Sequence, residues 1–158
     1  MMNKLERVAN LMIKNELTLA IAESCTGGLI CHTVTNIPGS STFFEVGIIS
    51  YSNTAKAQFL NVQKKTLERY GAVSSQTAEE MAQGIRIKAG ADIGLSTTGV
   101  AGPGGGTAEK PVGLVYIALS NEKKTTVYKY TFTGNRWENK ESTCQKALEI
   151  LIKHLQKQ

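Results

Sequence analysis

Two potential nucleophiles, Ser24 and Cys25, stand side by side in the segment AESCTGG, directly after an apolar run. A corner between a strand and a helix would place them near free backbone N–H groups and the positive end of the helix dipole, which stabilise negative charge. Gly27 and Gly28 would let a substrate approach the backbone closely. The G-x-S-x-G pattern is absent, because Ala22 stands where its first glycine would be. Spacing alone leaves open a catalytic corner or a capped tight turn.

A serine nucleophile needs a base, and the sequence offers a histidine and a lysine. His32 lies seven residues beyond Cys25, where a surface position on the following helix is the favoured interpretation. Lys56 falls early in a helix predicted over NTAKAQFLN, so the helix dipole and partial burial would both lower its pKa. A neutral lysine can accept the serine proton. Tyr51, at the end of the preceding strand, would share in proton transfer or simply pack.

A glycine-rich segment, STTGVAGPGGGT, offers several backbone N–H groups in a loop that a ligand can approach closely. Such loops bind phosphate or line an oxyanion hole. The sequence matches neither G-x-x-x-x-G-K-[ST] nor G-x-G-x-x-G, which argues against a nucleoside triphosphate or dinucleotide site. A hairpin loop without function is the alternative.

The elements that must position these residues alternate between helical and strand patterns. Apolar residues at helical spacing predict helices near the N-terminus, after the first glycine turn, over about 78–89 and over the last 20 or so residues. Asn53 is the candidate N-cap of the helix over NTAKAQFLN, and Ser75 is that of the helix at 78–89. Strands are predicted over LTLAIA, FFEVGIISYS and DIGLSTTGVAG, with a hairpin of PVGLVYIALS and TTVYKYTFT around NEKK. The pattern predicts a three-layer α/β/α sandwich with a mixed, mostly parallel sheet, in a single domain over residues 1–158. Ligands collect at the carboxyl ends of strands in such sheets, so the three polar corners could converge on one crevice.

The composition is that of an ordinary globular protein, with 41% hydrophobic and 20% charged residues. No apolar run reaches the roughly 18 residues of a membrane span, and the N-terminus has no uninterrupted apolar region, so we predict a cytoplasmic protein without a membrane partner. The net charge of +5 would suit an anionic small molecule or nucleic acid. Its basic clusters are only lysine pairs without interleaved aromatics, which argues against nucleic acid.

Metal chemistry is disfavoured by the donor residues themselves. The chain has three cysteines, none in a C-x-x-C pair, and only two histidines. A disulfide framework, a structural zinc site and a multi-histidine site are therefore not expected. We predict no metal and no organic cofactor.

The three corners together give the chain its resemblance to the CinA C-terminal domain of the competence/damage-inducible protein family. The matching segments span nearly the whole chain in family order: AESCTGG, PGSSTFFEVGIISYSNTAKAQFLNV, YGAVSSQTAEEMA, TTGVAGPGGGTAEKPVG and GNR. The family fold is a three-layer α/β/α sandwich. Characterised members are nicotinamide mononucleotide deamidases, and longer members carry a separate N-terminal domain for which 158 residues leave no room, so the stand-alone form is expected.

The resemblance implies a role for each matching residue. Ser24 would attack the carboxamide, Lys56 would be the general base, Tyr51 would assist, and Thr98 would join this catalytic set. Substrate binding would fall to residues of the corners and of the segment before the last helix: Cys25, Thr26, Gly27, Gly28, Gly99, Gly102, Gly104, Gly105, Thr107 and Arg136. The implied partners are a small-molecule nucleotide substrate and further copies of the chain in a homo-oligomer.

The last helix departs from the family pattern. An arginine pair commonly follows the position of Arg136 by four and five residues, but here Lys140 and Glu141 stand there, and Asn135 replaces the usual aspartate. Lys140 keeps a charge without the bidentate geometry of arginine, and Glu141 reverses the other. The leading interpretation is an amidohydrolase of pyridine nucleotide salvage. The alternative is a catalytically weak nucleotide-binding or regulatory module.

Overall fold

The computed structural model describes residues 1–158, which form one mixed sheet between two layers of helices. The strands are β1 (Leu19–Glu23), β2 (Phe44–Ile49), β3 (Ile93–Gly99), β4 (Leu114–Ser120) and β5 (Thr125–Thr131). The helices are α1 (Lys4–Lys14), α2 (Leu29–Thr35), α3 (Asn53–Leu60), α4 (Lys64–Tyr70), α5 (Ser75–Ala89) and α6 (Arg136–Leu155). None of the helices combines the length and apolar character that a bilayer span requires.

The sheet has the order β2-β1-β3-β4-β5. Strand β1 is parallel to β2 and β3, whereas β4 is antiparallel to both of its neighbours. Four of the five strands therefore run in one direction, and only β4 opposes them. The predicted α/β/α sandwich with a mixed, mostly parallel sheet is confirmed, as is the hairpin of β4 and β5.

Strand β1 shows how the sequence builds the two layers. Leu19 and Ile21 face the larger core, which is formed with α1, α2 and α6, whereas Ala20 and Ala22 face the side of α3 and α5. All five residues of the strand are buried. The alternation of bulky and small side chains in LTLAIA thus reflects different helix distances on the two faces.

The side of the sheet with small residues lets its helices approach closely. A Cβ atom on Gly84, in the middle of α5, would lie 1.8 Å from the carbonyl oxygen of Leu60 at the end of α3. Glycine there weakens the helix intrinsically but permits this backbone contact. Gly84 therefore has a packing role that helix propensity does not show.

The N-cap residues of two helices differ from the sequence predictions by one position. Ser52, and not Asn53, caps α3, because its hydroxyl accepts the N–H of Ala55. Ser74, and not Ser75, caps α5 in the same way. In both segments two adjacent polar residues could act as the N-cap. The cap is the first of the two, because its backbone is extended, as an N-cap requires. Helix α4, which begins at the Lys64-Lys65 pair, was not among the predicted elements.

Candidate active site

The site forms where three parallel strands end at the same edge of the sheet. Glu23, the last residue of β1, pairs with Ile49 of β2 on one side and with Thr97 of β3 on the other. The residues that follow these positions, among them Ser24, Tyr51 and Thr98, therefore emerge side by side. The convergence predicted from three polar corners is the arrangement found.

The side chains of Ser24 and Lys56 form a hydrogen-bonded pair at this edge of the sheet. The Nζ atom of Lys56 lies 2.9 Å from the Oγ atom of Ser24, across 32 residues of sequence. Ser24 is 8% exposed, and Lys56 is fully buried. His32, the other candidate base, lies exposed on α2 with its ring beside the Asn36 side chain. The structure thus joins the serine to the lysine.

The burial of Lys56 shifts its pKa toward neutral pH. Removal from water disfavours the ammonium form and lowers the pKa of Lys56 to about 8 from its ordinary value of 10.5. About one lysine in ten is then neutral at pH 7, compared with roughly one in several thousand for a solvated side chain. The environment therefore raises the population of the proton-accepting form by more than a hundredfold.

Two carbonyl groups orient the amine. Lys56 Nζ lies 2.7 Å from the carbonyl oxygen of Ser50 and 3.2 Å from that of Tyr51. A neutral amine has two N–H groups and one lone pair. With both N–H groups donated to these carbonyls, the lone pair faces the Ser24 hydroxyl. An amine held in this way can, when neutral, accept the proton of the Ser24 hydroxyl.

The thiol of Cys25 stays protonated and unreactive at neutral pH, although it lies beside Ser24. Burial is the largest cause that raises the pKa of its thiol to about 12, so the thiolate is essentially absent at neutral pH. Its side chain is 7% exposed and makes no hydrogen bond to Lys56. Of the two adjacent candidates, Ser24 is the one whose side chain is hydrogen-bonded to the Lys56 amine.

The start of α2 is occupied by a carboxylate of the chain itself. Glu23 is fully buried, and its Oε2 accepts the N–H groups of Gly28 at 3.0 Å and Ile30 at 3.2 Å. Its Oε1 accepts the N–H of Cys31 at 2.7 Å. The free N–H groups that the sequence suggested for a substrate anion are therefore taken. Other backbone groups must serve that purpose.

A cavity of about 310 Å³ opens beside Ser24 and Lys56, a volume at the lower end of the range for small-molecule sites. Its wall contains ten of the predicted site residues: Ser24, Cys25, Tyr51, Lys56, Thr98, Gly99, Gly102, Gly104, Gly105 and Arg136. Four further residues complete it: Ala72, Val73, Val100 and Ala101. The N–H groups of Cys25, Gly102, Gly104 and Gly105 donate to no acceptor within the protein. These groups are free to bind a substrate oxygen.

The first turn of α6 holds the glycine-rich loop against this cavity. Arg136 donates through Nη1 to the carbonyl oxygen of Gly102 at 2.7 Å and through Nη2 to the phenol oxygen of Tyr51 at 3.1 Å. Asn139, which is buried, donates to the carbonyl oxygen of Ala101 at 3.0 Å. Tyr51 is 60% exposed, and its phenol contacts Arg136 and not Lys56. The contact between Tyr51 and Lys56 is made by the backbone carbonyl of Tyr51.

Four predicted substrate-binding residues do not line the cavity. The hydroxyl of Thr26 is buried against that of Thr97, 2.8 Å away. Gly27 and Gly28 form the turn, with φ of 61° and 98°, backbone angles that favour glycine. The Thr107 hydroxyl accepts the N–H of Lys110 within its own loop. Substrate contacts by these four residues stay predictions.

The departures from the family pattern lie at the N-cap and in the first two turns of α6. Asn135 caps α6, since its side chain accepts the N–H of Glu138, a role that asparagine and aspartate share. The Nζ atom of Lys140 lies 3.4 Å from the position that a Cβ on Gly27 would occupy. Glu141 is exposed. Lys140 therefore stands over the turn that carries Ser24.

Three contributors were missed in the sequence: Glu23, Ser50 and Asn139. Glu23 left a visible signal, because a single acidic residue interrupts an apolar strand directly before a glycine turn. Ser50 left no signal, because it contributes its backbone carbonyl, which any residue has. Asn139 left none, because it contacts the carbonyl of Ala101 in a loop that is distant in sequence.

A second cavity of about 400 Å³ lies at the opposite end of the sheet, beside the starts of β1 and β3. Its wall includes Leu17, Arg86, Asp92 and Ile93 but no nucleophile paired with a base. No cluster of three or more His, Cys, Asp or Glu side chains in the chain is placed to hold a metal ion.

The sequence matches the CinA C-terminal domain over residues 2–155. The chain belongs to the CinA C-terminal domain family. A competence-damage inducible protein of Thermoanaerobacter pseudethanolicus is 52% identical over 150 residues, which cover 95% of this chain and 36% of that protein. One from Clostridium botulinum strain 657 is 52% identical over 151 residues, covering 96% of this chain and 37% of that protein. The chain thus spans little more than a third of the length of these CinA relatives.

Solved structures agree with the CinA assignment. A CinA superfamily protein from Klebsiella pneumoniae superposes with a TM-score of 0.94 at 32% identity, covering 99% of this chain and 100% of the other. A competence/damage inducible protein from Agrobacterium tumefaciens gives 0.90 at 40% identity, with coverage of 98% and 97%. The predicted family and fold are confirmed by these likenesses.

Proposed function

We propose that this CinA-family chain is an amidohydrolase that converts nicotinamide mononucleotide to nicotinate mononucleotide and ammonia. The observation that carries the proposal is the pair of Ser24 and a fully buried Lys56, 2.9 Å apart at the wall of a cavity. Serine–lysine pairs perform acyl transfer. The carboxamide substrate comes from the resemblance to family members with this activity.

The first half-reaction forms an acyl-enzyme. Neutral Lys56 takes the proton of Ser24 as Oγ attacks the carboxamide carbon, which makes a C–O bond and places negative charge on the former carbonyl oxygen. The N–H groups of Cys25 and the loop glycines have no protein acceptor and can hold this charge. The C–N bond then breaks, and the Lys56 ammonium gives its proton to the departing nitrogen, so that ammonia leaves.

The second half-reaction restores the serine. Lys56, neutral again, takes a proton from a water molecule that attacks the ester carbon. The bond to Ser24 Oγ breaks, the lysine returns the proton to Oγ, and the nucleotide leaves as a carboxylic acid that gives its remaining proton to solvent. Apart from the attacking water, the two half-reactions use only Ser24, Lys56 and the free N–H groups of the cavity.

The direct test is ammonia release from nicotinamide mononucleotide by the folded protein, with the nucleotide product identified by mass spectrometry. We expect one nicotinate mononucleotide for each ammonia. A folded protein that binds the nucleotide, as measured by calorimetry, but releases no ammonia would refute the proposal and favour the regulatory-module alternative.

The pH dependence of the reaction follows from Lys56. Because its pKa is lowered to about 8 and the neutral amine is the active form, kcat/KM should rise about tenfold per pH unit below 8 and level off above it. Initial rates between pH 6 and 9.5 measure this profile. A profile that is flat from pH 6 to 8 would contradict the role of Lys56.

Arg136 should bind the substrate phosphate, because it is the one cationic side chain besides Lys56 in the cavity wall. Replacing it with glutamine should raise KM for the mononucleotide by about 10- to 100-fold, the usual range for a lost charge-assisted hydrogen bond. Nicotinamide riboside, which has no phosphate, is the control substrate, and its kcat/KM should change much less. Equal losses on both substrates would assign Arg136 to holding Gly102 and Tyr51 only.

A further inference from the structure

A buried carboxylate stands directly before the nucleophile and takes no part in the reaction described above. Glu23 is fully buried, yet no lysine or arginine pairs with it. Its partners are the three N–H groups of Gly28, Ile30 and Cys31. A buried carboxylate that accepts several backbone hydrogen bonds is stably held and fixes the backbone that donates them.

These three hydrogen bonds close the turn that contains Ser24. The chain leaves β1 at Glu23, passes through Ser24 and the two glycines with left-handed φ, and returns to the Glu23 side chain at the start of α2. Inside the turn, the N–H of Gly27 donates to the carbonyl oxygen of Ser24 at 3.1 Å, and the N–H of Leu29 donates to that of Thr26 at 3.2 Å. The Glu23 side chain adds three hydrogen bonds that join the last residue of β1 directly to the start of α2.

The backbone of Glu23 restrains the base as well. Its carbonyl oxygen accepts the N–H of Ser50 at 2.8 Å, and the carbonyl oxygen of Ser50 in turn accepts from Lys56 Nζ at 2.7 Å. One residue is thus connected to the nucleophile through its side chain and to the lysine through its main chain.

We propose that Glu23 is the positioning residue of the reacting pair, whose carboxylate holds the turn in the conformation that presents Ser24 Oγ to the Lys56 amine. This rests on the proposed function in taking Ser24 as the nucleophile. A displacement of about 1 Å at a reacting group can cost roughly a hundredfold in rate. Loss of the restraint should therefore act on kcat, while the cavity wall that binds substrate stays in place.

The test compares Glu23→Gln with the unaltered protein by two readouts. Ammonia release gives kcat and KM. A fluorophosphonate probe reports serine activation without the substrate, because Ser24 Oγ forms a bond to phosphorus, fluoride leaves and Lys56 takes the proton. Glutamine keeps the size of the side chain but presents an NH₂ group to at least one N–H donor. We expect kcat and the labelling rate to fall by about 100-fold, with KM changed less than about threefold.

Asp92→Asn is the matched control. The Asp92 carboxylate also accepts a backbone N–H, that of Thr18 at 2.8 Å, but at the opposite end of the sheet. This variant should keep both rates within about twofold, and Ser24→Ala supplies the unlabelled blank. Melting temperatures, with assays run well below them, separate lost positioning from lost folding.

Each result decides. A folded Glu23→Gln protein that labels within threefold of the unaltered rate overturns the positioning role, whatever the ammonia assay shows. Labelling of Ser24 without any ammonia release would overturn the proposed function, while the labelling rates would still test Glu23. If neither labelling nor release occurs in the unaltered protein, there is no nucleophile to position and both proposals fall. If Glu23→Gln does not fold, Glu23→Asp replaces it, and failure of both to fold makes Glu23 a general structural residue.

Discussion

Replacing Ser24 with alanine is expected to reduce ammonia release by at least about 10⁴-fold, the scale seen when a hydrolase loses its nucleophile. The substitution removes the Oγ atom that lies 2.9 Å from Lys56 Nζ and leaves every backbone contact of the turn in place. Binding of the mononucleotide, measured by calorimetry, should be largely retained. The assay is single-turnover ammonia release at pH 8.5, where Lys56 is mostly neutral.

Cys25→Ala is the comparison that makes this result specific. Its thiol is held in the protonated form by a pKa of about 12 and does not contact Lys56. The variant should lose less than about tenfold, because it removes a buried side chain of the cavity wall and no reacting atom. If Cys25→Ala loses activity as fully as Ser24→Ala does, the nucleophile has been assigned to the wrong residue.

Replacing Lys56 with methionine is expected to abolish catalysis while making the protein more stable. The base is lost, so ammonia release should fall by about 10⁴-fold. A pKa lowered to about 8 means that the folded protein holds the ammonium at a cost, and each pKa unit corresponds to about 1.4 kcal/mol. The carbonyls of Ser50 and Tyr51 lose a donor, which offsets part of the gain. The free energy of unfolding at pH 7 should rise by about 1–3 kcal/mol.

The pH dependence of this gain identifies its cause. Below pH 8 the lysine is charged in both the folded and the unfolded chain, so the full cost of burying the charge is present. Between about 8 and 10.5 the folded chain holds a neutral lysine while the unfolded chain still binds the proton, and the cost disappears. Urea unfolding of both proteins at pH 7 and pH 10 measures the difference. A gain that is no smaller at pH 10 would show that packing, and not the buried charge, is responsible.

The fold could be predicted from the sequence because most of its helices and strands are specified by local patterns. Each pattern predicts one element without knowledge of the others: the alternation in LTLAIA a strand, the spacing of Ala78, Met81 and Ala82 a helix, and the polar NEKK between two β-forming segments a hairpin. Helix caps were placed one residue late, since Ser52-Asn53 and Ser74-Ser75 offer two capping side chains and only the backbone angle selects one. That angle depends on how the preceding strand leaves the sheet.

The candidate site was predictable to the extent that its chemistry lies in short motifs. Ser24, Lys56 and the glycine loop were identified as reactive or ligand-approachable types, and the ends of parallel strands bring them together. The acidic residue at the end of the apolar strand is visible in the sequence, but the sequence does not show that the Glu23 side chain turns inward to accept the N–H groups at the start of α2. Thr107 shows the reverse: its motif position suggested the cavity, but its hydroxyl closes its own loop.

The spacing between the two reacting atoms is also set far from them. Leu60 follows Lys56 by one turn of α3, and its carbonyl rests where a methyl group at Gly84 would have to stand. A side chain at that point of α5 would push α3 away from α5, and Lys56 would move together with α3. The distance between Lys56 Nζ and Ser24 Oγ therefore depends on the absence of a Cβ atom at Gly84, on a helix that contributes no reacting group.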